Sequence, residues 1–194
     1  MEGIVLRTTP YKESHRIVTL FTSRAGMISL MAKRVTTPEK MALLTPFSHI
    51  EVIFRKKQSD LYFIKDGSLL TDHLFLREKW GYLEIAGKMA QILLHSQLPG
   101  KPAPLLYTLF MTCLKQLPHF EEPSSLLLLF YLKLLTHEGL LSMENRTAFP
   151  ISFSQTQWDA LMELASSRSF KTVQKKVGLS PLLLQLEKNL KDLL

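Results

Sequence analysis

"HIEVIFRKKQSDLYFIKDG", residues 49–67, holds two short β-forming runs on either side of a polar stretch. In the first run Ile50, Val52 and Phe54 alternate with His49, Glu51 and Arg55. A two-residue period of this kind marks a strand with one buried face. "KKQSD" (56–60) reads as the hairpin loop into a second strand, "LYFIK" (61–65), which Asp66–Gly67 is expected to end.

Upstream, the same grammar recurs. Val5 to Thr8 is short and partly β-branched, "RIVTLFT" (16–22) leads into the turn "SRAG", and "MISLMAK" (27–33) follows until "RVTTPEK" (34–40) breaks it at Pro38. Five short strands with close turn signals predict a small barrel, and a basic five-stranded barrel is most often an OB-fold. After Asp66 the spacing becomes helical. "REKWGYLEIAGKMAQILLHSQL" (77–98), "PLLYTLFMTCLKQL" (104–117) and "SLLLLFYLKLLTHEGLL" (125–141) read as helices separated by Pro/Gly breaks. Ser154 with Gln157 forms a capping-box pattern before "WDALMELASS", and Ser180–Pro181 is expected to cap the last helix. The fold class is therefore α+β: a five-stranded OB-fold barrel at 1–80, then an all-α helical domain at 81–194.

Charge supports that division. The chain carries 24 basic and 17 acidic residues, and ten of the basic ones fall before residue 58 against four acidic ones. A basic surplus concentrated on one module favours an anionic partner such as nucleic acid. Cys113 is the single cysteine, so neither an intramolecular disulfide nor a cysteine-based zinc site can form, and its apolar setting reads as core. The N-terminus lacks a basic segment followed by an apolar one, so no secretory signal is expected. "LLLLFYLKLL" (126–135) is too short for a membrane span, which needs ~20 apolar residues. It reads as a buried helix, and the expected location is cytoplasmic, with no membrane partner.

Glu13, Ser14 and His15 stand side by side in "PYKESHRIVTLFT" (10–22) and suggest nucleophilic chemistry. Neighbouring side chains of an extended segment point to opposite faces, whereas a Ser–His–carboxylate set converges from separate elements. A turn with solvated charges is the favoured reading, and no catalytic residue is assigned. The six histidines are scattered without i,i+3 or i,i+4 pairs, so no metal site and no cofactor are expected.

The basic residues carry the strongest signal. Lys12, Arg16, Arg24, Lys33, Arg34, Lys40, Arg55, Lys56 and Lys57 all fall at strand ends or in loops of the proposed barrel, where they can form one phosphate-binding surface. Ordinary solubility charge competes with that role at each position. Tyr11, Tyr62, Phe63 and Phe47 offer stacking surfaces, although core packing is favoured for Phe63 and Phe47. A weaker signal lies in "SFKTVQKKVGL" (169–179). There Phe170, Lys171, Lys175 and Lys176 suit an acidic peptide, against a solvated helix face as the competing role.

Gly3–Leu6, Tyr11 with Glu13, Leu20–Thr22, Gly26, Ala32–Lys33 and Leu44–Phe47 occur in the order and spacing of one family. Over these residues the chain resembles the N-terminal barrel of RecO-type recombination mediators, and "LLLLFYLKLLTHEGLL" is similar to that family's central helix. Val35 stands where a glycine is usual, and Ser14 and His15 blur the Glu-x-Asp motif. "SMENRTAFPISFS" stands where many members carry a four-cysteine zinc module, so zinc is not implied here. The resemblance implies a non-enzymatic DNA-repair and recombination mediator that binds single- and double-stranded DNA and anneals complementary strands. It also implies partnership with RecR and with the acidic C-terminal tail of single-stranded-DNA-binding protein, so that recombinase loads. From the residues alone, an RNA-binding OB module and a helical adaptor with a structural barrel remain rival readings.

Overall fold

The computed structural model describes residues 1–56, 62–142, 149–167, 169–174 and 179–194. These group into two compact units: Met1–Phe75 with Gln97–Thr108, and Leu76–Ser96 with Leu109–Leu194.

The first unit is built on a closed barrel of β1 (Glu2–Tyr11), β2 (His15–Thr22), β3 (Gly26–Ala32), β4 (His49–Lys56) and β5 (Tyr62–Thr71). The strand order is β1-β2-β3-β5-β4, with β3 and β5 parallel and the other neighbours antiparallel. This is the expected OB-fold. Val5, Val18, Leu20, Ile28, Leu30, Ala32, Ile50 and Val52 fill the interior. Strand alternation accounts for the set, because residues two apart share a face. A register shift between Val5 and Arg7 bends β1, so that it pairs with β2 along its length and with β4 at Glu2–Ile4.

Several local expectations change. β1 is longer than the Val5–Thr8 run, and a short helix, α1 (Pro38–Leu43), occupies part of the segment expected only to break β3. Thr37 caps it by accepting from the Lys40 amide, and Pro38 sits in the first turn, where its missing N–H is no loss. β5 does not end at Asp66–Gly67 but runs on to Thr71. Two register shifts leave Lys65 and Leu70 as extra residues opposite β4, which keeps the pairing while the strand bends. Gly67 marks a close approach rather than a turn: a Cβ there would lie 3.1 Å from the Glu51 carbonyl oxygen and 3.2 Å from Leu43 Cδ2 of α1.

Two buried residues, Phe47 just before β4 and His73 just after β5, tie the two strands together at that end. Phe47 adopts φ +72, held by its amide donating to Val5 O (2.7 Å) and its carbonyl lying 2.9 Å from His73 Nδ1. Since the carbonyl can only accept, Nδ1 carries the proton.

The second unit is helical. α2 (Trp80–Ser96), the later part of α3 (Pro104–Gln116), α4 (Pro123–His137), α5 (Gln155–Ser166), α6 (Phe170–Gln174) and α7 (Ser180–Leu193) follow the barrel. α4 is apolar almost all round because it packs against α2, α5, α6 and α7. The Tyr131 hydroxyl on this helix donates to Glu187 (3.3 Å), which also pairs with Lys88 at 3.2 Å. Burial and then Glu187 push the Tyr131 hydroxyl well above its usual pKa, keeping it a donor. Ser154 and Gln157 form the expected capping box. At α7, however, Leu179 rather than Ser180 holds the cap position and makes no side-chain cap bond. The expected 169–179 helix covers Phe170–Gln174, and Lys175–Gly178 lie outside the described residues.

After α4, where the resemblance would place a zinc module, Phe149, Ile151 and Phe153 are buried, and Phe149 packs against Trp158 with ring centroids 5.7 Å apart. Cys113 is fully buried, and burial pushes its thiol up to about 12. Thiolate is the reactive form, so at pH 8 the native chain should resist disulfide-exchange reagents and release its thiol on denaturation. Fast labelling of folded protein would contradict this packing. Among the described residues no helix is long and apolar enough to cross a membrane.

Candidate nucleic-acid interface

Register places most of the basic residues on connected ground. Arg16 opposes Ala32 at the end of β3, with Lys33 and Arg34 next along the chain. The Val35 amide donates to Ser14 O at 2.7 Å, which holds that segment against the Lys12–Ser14 turn. Lys40 Nζ lies 3.4 Å from Arg34 O. Lys33 and Lys40 line one groove, joined there by Lys65, with Ala32, Val35, Leu43, Leu44 and Ile64 as its aliphatic part and Asp66 as its carboxylate. Lys12, Lys33, Arg34, Lys40, Lys65 and Arg55 are exposed, and Arg16 is half-buried with Nη1 donating to His15 O.

Arg24 stands apart. It lies in the β2–β3 turn, at the opposite end of β2 from Arg16, and shares a hollow with Glu2 and Glu51. Lys56 ends β4, and Lys57 lies outside the described residues. Lys65 carries no signal of its own in the sequence, where it reads as an ordinary strand residue; the bulge at which it sits depends on pairing with β4.

A second feature lies on the barrel's outer surface. Arg55 pairs with Phe63, Phe63 with Met31, Met31 with Ile17, and Ile17 with Thr9, a single row crossing all five strands. These residues alternate with Phe54, Ile64, Tyr62, Leu30 and Val18, which pack inward, so the row faces outward. Phe63 is half-buried, and Lys33 Nζ sits 4.7 Å from its ring centroid. Phe47 is buried, Tyr62 meets Phe54 edge-on inside the barrel, and Tyr11 is exposed beneath Lys12.

The Glu13–Ser14–His15 stretch is a turn entering β2. Ser14 Oγ lies 3.4 Å from His15 Nδ1 and Glu13 is exposed. Among the described residues no group of three or more His, Cys, Asp or Glu is placed to hold a metal. In the helical unit, Phe170 lines an apolar hollow with Leu109, Leu129, Lys133, Ser167 and Ser169, and Lys171 is exposed beside it. Lys175 and Lys176 lie outside the described residues.

Barrel order, the β3–β4 helix and the basic outer surface define an OB-fold protein with an appended helical unit. Residues 1–72 match the family described as recombination protein O N terminal. The chain is 33% identical to the DNA repair protein RecO of Chlamydia pneumoniae over 143 residues, 73% of this chain and 56% of that protein. It is 31% identical to the RecO of Chlamydia trachomatis serovar L2 over 147 residues, 75% of this chain and 60% of that protein, and 30% identical to that of Bacillus subtilis over 141 residues, 72% and 55%. The barrel thus matches the N-terminal domain of the RecO family, and most of the chain is similar to these RecO proteins, of whose length it covers less than two thirds.

Proposed function

We propose that the protein serves DNA repair and homologous recombination as a non-enzymatic mediator. It binds single- and double-stranded DNA through the barrel and anneals complementary strands. It also helps load recombinase onto DNA coated by single-stranded-DNA-binding protein. The observation that carries this reading is the convergence of Lys33, Lys40 and Lys65 on one groove of an OB barrel, next to Arg34 and the Lys12 turn. Cations so placed release counterions from two phosphate backbones and hold them close enough for bases to pair.

The hollow at Phe170 supports a role for the helical unit in receiving the acidic tail of the coating protein, with apolar side chains for its apolar residues and Lys133 and Lys171 for its carboxylates. RecR is the further proposed partner, and the cytoplasm the proposed site of action.

The test is annealing of complementary strands pre-coated with the cognate single-stranded-DNA-binding protein. Acceleration that vanishes when the coating protein's acidic tail is removed supports the mediator reading. An absence of acceleration at every salt concentration sinks it, and tight protein-partner binding without DNA affinity would favour the adaptor reading.

A further inference from the structure

We propose that Phe63 is a base-stacking platform that Lys33 covers in the free protein and uncovers on binding a single strand. The inference rests on the DNA-binding reading above and names which form of nucleic acid this part of the barrel selects.

Phe63 is the aromatic member of the outward row, half-buried between Met31 of β3 and Arg55 of β4. Strand neighbours lie ~4.8 Å apart, so Arg55 is close on one side of the ring. On the other, Lys33 follows Met31 by two residues, which puts it on the same face, and its ammonium sits 4.7 Å from the ring centroid. Phosphates flanking a base on Phe63 therefore have a cation on either side.

The Lys33 contact is an exchangeable cover. A cation over a phenyl face at an exposed site is weakly held, whereas an aromatic–base stack is as strong or stronger and leaves the ammonium free to meet a phosphate. Lys33 is exposed and also lines the neighbouring groove, so its head can leave the ring without losing solvent or finding itself buried. Duplex DNA cannot make this exchange, since its bases are already stacked on one another. Phe63 accordingly adds affinity for single strands, while Lys33 and Arg55 serve both forms.

The experiment measures affinity of the full chain for an oligothymidylate and for a mixed-sequence duplex of equal length, across a salt series. Phe63→Ala is expected to weaken oligothymidylate binding about 10-fold and duplex binding less than twofold, with the salt slope unchanged. Phe63→Leu keeps apolar bulk in the row but has no π face; it should lose as much as Phe63→Ala, and Phe63→Trp should restore binding. Lys33→Ala should weaken both forms and lower the salt slope. Wild-type affinity for oligothymidylate in Phe63→Leu, or an equal loss on both forms, would overturn the proposal. Absence of salt-dependent binding by the unmodified chain would overturn the DNA-binding reading as well, so the two failures are distinguishable.

Discussion

Gly26→Ala is expected to cost the barrel about 3–5 kcal/mol, the sum of a left-handed backbone and a clash with main chain. Gly26 has φ +60, where a Cβ is disfavoured. An ideal Cβ there would lie 1.9 Å from the Lys101 carbonyl oxygen and 2.6 Å from its carbon. Those are backbone atoms, so no rotamer change relieves the overlap. The Lys101 segment is also pinned: the Gly100 amide donates to Met27 O at 2.9 Å, and Pro99 forms bridges with Gly26 and Met27. Thr22 adds a further tie, its hydroxyl donating to Gly26 O and accepting from the Ala25 amide, both at 3.0 Å. For a unit of this size the loss corresponds to roughly 15 °C or more in melting temperature. Gly100→Ala is the control. Gly100 also has positive φ (+74), yet no heavy atom lies within 4 Å of its ideal Cβ, so about 1–2 kcal/mol is expected from backbone strain alone. Thermal melts followed by circular dichroism check the pair; equal losses would show that the Lys101 contact does not constrain the turn.

The same contact shows where reading the sequence stops. Alternation in "HIEVIFR" was legible because burial of Ile50, Val52 and Phe54 against solvation of Glu51 and Arg55 is a local consequence of strand geometry. The glycine in "SRAG" was legible as a turn, but the main chain it must admit comes from a segment far along the sequence. Gly67 was misread for a related reason. A glycine after aspartate signals a turn when nothing else is known, whereas here it makes room for Leu43. The outward facing of Phe63 was present in the sequence, since "LYFIK" opposes a strand whose inward residues are known. The favoured core reading set hydrophobicity above alternation. Which cations share a groove was not legible at all, because Lys33, Lys40 and Lys65 come from a strand end, a helix and a bulge whose meeting is tertiary.

That convergence makes the second large effect measurable. Replacing Lys33, Lys40 and Lys65 together with glutamine should reduce the salt slope for single-stranded DNA by about 2, since each phosphate contact contributes ~0.7. At 0.1 M salt this amounts to about 100-fold in affinity, by the same relation. Glutamine keeps length and polarity at three exposed positions, so stability should change little. Arg24→Gln is the matched control: it removes one charge from the same basic module but at the other end of β2, beside Glu2 and Glu51. Its slope should equal that of the unaltered protein. If the slope instead tracks net charge, with Arg24→Gln shifting it as much as any one of the three lysines, the barrel attracts DNA only through its overall field. A reduction confined to the lysine variants means that phosphates are held at the groove, where two strands brought by their backbones can meet.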